Sequence, residues 1–236
     1  MTVIKHPANS RGTADFGWLK SSHSFSFGSY FDSSRIRFGL LRVLNDDQVA
    51  PSMGFGTHPH DNMEIISIPL EGELAHKDSL GNASIIKTGE VQVMSAGTGI
   101  THSEFNNSQH ESVKFLQLWI YPNQKNVAPR YGQFTIDNQL NNQWQLIVGP
   151  QDAGLSTWVH QNAWLSLGKF SHATQIDYQF HKPLNGVYVF LITGSVEVNG
   201  VSLSSRDGAG FTETELLNFS ILTSSYILII EVPMEL

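Results

Sequence analysis

Residues 56 to 65 read GTHPHDNMEI, which sets His58 and His60 one residue apart around Pro59, with Glu64 just downstream. Two imidazoles can share a metal ion if they converge, and the backbone decides whether they can. Side chains two residues apart diverge on a helix but share a face on a strand, so this pair requires extended chain. Pro59 favours that geometry. The residue before a proline is steered out of the α region, and a proline, with no N–H for a ladder, belongs at a strand start, an edge or a bulge. A lone His-x-His is commonplace in a chain with ten histidines and makes no site by itself. The stretch 97 to 106, GTGITHSEFN, changes the balance, because His102 and Glu104 repeat the alternate spacing after a Gly-x-Gly turn. Two strands with two ligands each would bring three nitrogens and one carboxylate oxygen to a single ion. That donor set suits iron, nickel, copper, manganese or zinc. Glu64 competes with Glu104 for the oxygen position, and spacing alone leaves the choice open.

The other histidines, His6, His23, His76, His110, His160, His172 and His181, lack a partner at ligand spacing and are expected at the surface or in hydrogen bonds. Asp61, Asn62 and Glu64 are candidates for orienting a ligand imidazole through its free N–H.

The elements that must carry these groups read as short strands. Runs over residues 36–44, 64–69, 90–95, 113–121, 186–192, 195–198 and 226–232 are rich in branched and aromatic residues and are separated by turn residues. Long helical periodicity is missing, so the expectation is all-β, antiparallel sheets closed into a sandwich or barrel, with few short helices. On the run 113–121, Phe115, Gln117 and Trp119 share one face while Leu116, Leu118 and Ile120 share the other; either could line a barrel.

Composition narrows the classes. The 236 residues are 40% hydrophobic, enough for one large β unit or two domains. A net charge of -7, with 14 Lys plus Arg and no basic stripe, argues against direct nucleic-acid binding. With no cysteine, disulfides, thiolate zinc sites and cysteine nucleophiles are excluded. The opening MTVIKHPANSRG carries no apolar signal region, and the run 226–232 is too short to span a bilayer. The expectation is a cytoplasmic protein with no membrane contact.

A weak internal echo divides the chain. Leu70-Glu71-Gly72-Glu73-Leu74 is matched by Ile192-Thr193-Gly194-Ser195-Val196, each followed by a turn, a strand and a second glycine-bearing turn. Two copies of one barrel are therefore expected, joined by the polar stretch 122–142. Where the second copy should hold its counterparts of His58 and His60, it has Phe180 and Lys182, with only His181 nearby.

These residues resemble a known family. The spacing Gly54-x-x-x-His58-x-His60-x-x-x-Glu64 followed by Gly72, then Gly97-x-Gly99-x-x-His102-x-x-x-Asn106, resembles the two cupin motifs. The stretches SRGTADFGWLKSSHSFSFGSYFD, GFGTHPH, PLEGELAHKDSLGN and SAGTGITHSE resemble the pirin branch of bicupins, close to bacterial pirin-like quercetinases, and cover most of the first half; the second half resembles it in pattern. The resemblance implies two cupin jelly-roll barrels in tandem, residues 1–125 binding metal and 126–236 lacking the ligands. It implies one divalent ion held by His58, His60, His102 and Glu104, with Glu64 left a supporting carboxylate. Iron(II) is the first expectation for that ion, with nickel, copper, manganese, cobalt and zinc as alternatives. Ser95 and Gly97 stand near the place where many cupins carry a proline, a departure compatible with pirins.

The same resemblance implies a flavonol 2,3-dioxygenase. Quercetin would bind at an open position of the ion and lose its 3-hydroxyl proton, to Glu104 if that residue loosens from the ion, and O2 would open the central ring with release of carbon monoxide. Two other readings stand beside it: a non-catalytic metal- or redox-sensing regulator that binds a protein partner, and a chain with a purely structural zinc ion.

Overall fold

Short strands run through the chain from Thr2 to Pro233, some alternating buried and exposed positions and others buried on both faces. The computed structural model describes residues 1–235 and arranges them as 22 strands with two three-residue 3-10 turns, Ala8–Ser10 and Gln151–Ala153. The first twelve strands are β1 (Thr2–His6), β2 (Gly12–Asp15), β3 (Leu19–His23), β4 (Leu41–Val49), β5 (Gly54–His60), β6 (Glu64–Glu71), β7 (Glu73–Asp78), β8 (Ala83–Lys87), β9 (Glu90–Ser95), β10 (Ile100–Asn106), β11 (Val113–Ile120) and β12 (Arg130–Thr135). The remainder are β13 (Trp144–Pro150), β14 (Trp158–Val159), β15 (Trp164–Phe170), β16 (Thr174–Gln179), β17 (Asn185–Thr193), β18 (Ser195–Val198), β19 (Val201–Ser204), β20 (Gly208–Thr212), β21 (Leu216–Ile221) and β22 (Ser225–Pro233).

They form two jelly-roll barrels of one plan, as expected. A seven-stranded sheet, β12-β9-β6-β11-β4-β3-β2, is paired with a four-stranded sheet, β5-β10-β7-β8. The second barrel repeats this with β1-β20-β17-β22-β15-β13-β14 and β16-β21-β18-β19. The echo marks equivalent turns, since Gly72 and Gly194 each join the long sheet to the short one with φ of +81° and +107°, values that a side chain disfavours. Each barrel also borrows a strand: β1 adds to β20 of the second, and β12 adds to β9 of the first. The polar stretch expected to be a plain connection therefore contains an edge strand, whose polar residues hid it.

The two long sheets pack back to back. Leu116, Leu118 and Ile120 of β11 share one buried cluster with Phe190 of β17 and Leu228 and Ile230 of β22. Full burial of such a side chain stabilises by roughly 1.5–3 kcal/mol, so this seam welds the barrels. Phe115, Gln117 and Trp119 point the other way, into the first barrel, which settles which face of β11 lines it. That inner face is not uniformly apolar. Gln92, Ser67, Gln117, Asn45 and His23 stand side by side on β9, β6, β11, β4 and β3, a polar row crossing five strands. The run expected over 36–44 forms a strand only from Leu41 and continues to Val49, because Asn45, Asp47 and their neighbours, turn-like by composition, belong to this row and the one beside it.

Candidate metal centre

Extended backbone brings the predicted residues together. His58 on β5 is the direct register partner of His102 on β10, and His60 lies opposite Ile100. The ladder then slips between His102 and Glu104, so that Glu104 faces Phe55. Gly54 makes the close approach possible, since a Cβ there would stand 2.3 Å from the Glu104 carbonyl oxygen.

His58, His60 and His102 converge, with ring centroids 4.5 to 5.0 Å apart. The His58 Nδ1 donates to the Gly56 carbonyl (2.8 Å), so its Nε2 carries a lone pair, and that lone pair faces His102 Nε2 at 3.1 Å. Two nitrogens at about 2.1 Å from one ion and at right angles would stand roughly 3.0 Å apart, so the spacing fits a shared cation. Burial, reinforced by the neighbouring imidazoles, lowers His102 to about 3; burial followed by His58 lowers His60 to about 4. Both are held neutral, the form that binds metal.

Glu104 sits slightly apart from that trio. It is wholly buried, and burial raises its carboxyl, opposed by the Ser67 hydroxyl and nearby imidazoles. Ser67 Oγ donates to Oε1 (2.9 Å) and Gln117 Nε2 to Oε2 (2.7 Å), while Trp119 Nε1 holds the Gln117 amide at 3.2 Å. Each carboxylate oxygen keeps a lone pair beyond the one so engaged. Glu104 falls within 4.8 Å ligand-atom spacing of His102 and of His76, a residue the sequence reading set aside. His76 is buried on β7, where its Nε2 donates to Asp78 at 3.1 Å and its Nδ1 has no partner. The signal was present, because His76 and Asp78 repeat the alternate spacing of the two ligand pairs on a strand that pairs with β10.

The supporting roles fall elsewhere than expected. Asp61 and Asn62 bond each other and Asn62 bonds Asn126; Glu64 is buried on the Ser95 hydroxyl (2.6 Å), and burial lifts it to about 7. None of the three bonds a ligand imidazole among the described residues; His58 is oriented instead by the Gly56 carbonyl. Beside the imidazoles opens a cavity of about 270 Å3 shared by His58, His60, Glu104 and Gln117. Its walls are flat and apolar at Phe27, Phe55 and Trp119, with Phe27 edge-on to Trp119 at 5.3 Å.

Comparison with known proteins bears on this site. The Pirin family profile matches residues 5–120, and a profile described as a quercetinase C-terminal cupin domain matches 146–232. The chain is 38% identical to a quercetin 2,3-dioxygenase of Escherichia coli K12 over 231 residues, covering 98% of this chain and 99% of that one. The chain belongs to the pirin family. A pirin-like protein of Caulobacter vibrioides is 36% identical over 97% of this chain and 99% of its own. A bacterial pirin of Escherichia coli, crystallised in complex with nickel(II), superposes with a TM-score of 0.92 at 37% identity, covering 98% and 99% of the two chains. In the present pirin, both clusters with metal-binding potential among the described residues lie in the first barrel. The second barrel buries instead the Glu231 carboxylate, which accepts from Tyr178 (3.0 Å), His181 and Asn185 (2.9 Å). No helix among the described residues is long and apolar enough to cross a membrane.

Proposed function

We propose that this pirin is a metal-dependent dioxygenase that opens the central ring of flavonols such as quercetin with O2, releasing carbon monoxide. One divalent ion is held by His58, His60, His102 and Glu104; iron(II) is the first expectation, and a relative crystallised with nickel(II) makes nickel the natural alternative. In this reading residues 1–125 supply the metal-binding barrel and residues 126–236 its scaffold, each unit lending the other one strand. The ion, when bound, supplies Lewis acidity and a free coordination position.

The chain's own groups do the rest. Phe27, Phe55 and Trp119 take the flat rings and exclude water. Glu104, loosened from the ion, accepts the proton of the flavonol 3-hydroxyl. Ser67 and Gln117 keep Glu104 aimed before and after that transfer. The observation that carries this reading is the shared cavity, in which the imidazoles, Glu104 and aromatic walls meet. Quercetin turnover by metal-loaded protein tests it, with His58→Ala and Glu104→Ala as controls. Turnover lost in both variants supports it; no turnover with iron, nickel, copper, manganese or cobalt rejects it.

A further inference from the structure

The cavity has a second polar end. Beyond Gln117 the polar row continues to Asn45 and His23, and the adjoining register pair is Ser21 with Asp47. All four line the same cavity as His58 and His60, yet none belongs to either cluster of possible metal ligands. His23 and Asp47 are each 4% exposed, so their polar atoms are nearly closed to bulk water. Their inner contacts are fixed. His23 Nδ1 pairs with Asn45 Oδ1 at 2.9 Å, and the Ser21 hydroxyl donates to Asp47 Oδ1. Since an amide oxygen only accepts, His23 Nδ1 is the donor and its Nε2 carries a lone pair.

The remaining atoms are the informative ones. Neither His23 Nε2 nor Asp47 Oδ2 has a partner among the described residues, and neither is among the polar atoms sealed away from solvent. A buried imidazole lone pair and a buried carboxyl oxygen at the cavity are costly to leave unpaired, and a ligand hydroxyl, which both donates and accepts, satisfies either. The neighbourhood adds shape: Phe27 and Tyr30 pack on the His23 ring at 5.4 and 6.4 Å, which holds the imidazole in place. Nothing in the chemistry at Glu104 requires this end.

We propose that His23 and Asp47, positioned by Asn45 and Ser21, form a recognition point for hydroxyl groups on the substrate ring farthest from the imidazole cluster. The site thereby selects flat polyhydroxylated aromatics over bare ones. The inference rests on the flavonol reading above and adds to it which flavonols are preferred. A site built to hydrogen-bond a hydroxyl discriminates strongly against the analogue that lacks it, because its polar groups are then left unpaired.

The test compares quercetin, hydroxylated on its pendant ring, with the flavonol whose pendant ring is bare. Equilibrium binding to nickel-loaded protein and kcat/KM with O2 are both measured for the wild type, His23→Phe and Asp47→Asn. The wild type is expected to favour quercetin by roughly tenfold or more in binding, and His23→Phe, which keeps an aromatic ring against Phe27, to collapse that ratio toward one. Asp47→Asn is expected to reduce it less, with the loss appearing in KM more than in kcat. Equal affinity of the wild type for the two flavonols, or a ratio untouched in folded His23→Phe, overturns the inference. Turnover of neither flavonol, with the binding preference intact, would instead sink the dioxygenase reading and leave the recognition point standing.

Discussion

The Nε2 of His102 meets only another imidazole, His58 Nε2 at 3.1 Å, and its Nδ1 is buried with no hydrogen bond. The His76 Nδ1 is also buried and unpartnered, in a ring 5.3 Å away that Asp78 anchors from behind. His76 bonds neither His102 nor Glu104, but it falls within ligand-atom spacing of both, and loss of a group that supports metal ligands typically weakens binding 10- to 100-fold. His76→Phe is therefore expected to weaken nickel affinity by roughly that factor, measured by competition with a chromophoric chelator; unaltered affinity would remove His76 from the site. Glu64 offers a separate test. Burial raises its folded pKa to about 7 from an ordinary 4.5, so the folded chain holds that proton more tightly than the unfolded one. Its contribution to stability is complete below about pH 4.5 and is lost as pH rises through about 7. The loss is on the order of 3 kcal/mol at about 1.4 kcal/mol per pH unit. Glu64→Gln should flatten the fall of Tm over that window, and a slope identical to wild type would contradict the assignment. At this scale the meeting of His58, His60 and His102 was legible from alternate spacing on extended chain, whereas spacing left Glu104 and Glu64 open and only the family resemblance chose between them. His76 and Ser67 were not legible, since what makes them matter is the register of β7 and β6 against strands distant in sequence.

Strands β5 and β10 act as one device, and Gly54 is its narrowest point. A methyl there would meet the Glu104 carbonyl and the Phe105 backbone at 2.3 and 2.5 Å. Gly54→Ala should force the strands apart, costing about 1–3 kcal/mol and displacing Glu104, so metal should be lost at temperatures where the fold survives. Metal content and circular dichroism measured together decide this; full metal retention in a folded variant would contradict it. The strand character of β5, β6, β9, β10 and β11 followed from alternation and branched residues. The second half of β4, residues 45–49, and all of β12 escaped, because their polar residues imitate turn composition while serving an inner polar row in one case and an exposed edge in the other.

The two barrels share a buried seam and exchange strands, so they should unfold together. Leu118 lies fully buried in that seam, and Leu118→Ala is expected to cost about 2–5 kcal/mol while keeping a single denaturant transition. Two separated transitions would show instead that the barrels are independent. The tandem plan was visible in the echo around Gly72 and Gly194, but the seam was not, since Leu116, Leu118 and Ile120 look like any apolar strand face until their partner sheet is known. Under the proposed function, His58, His60, His102 and Glu104 hold one ion beside room for a flavonol. Anaerobic titration of quercetin into protein carrying one equivalent of nickel tests it most directly, because deprotonation of the bound flavonol moves its visible absorption. A shift that saturates at one equivalent, and that vanishes on removal of the metal or in His102→Ala, is the predicted result. An absorption change that is the same with and without metal would contradict flavonol binding at a shared ion.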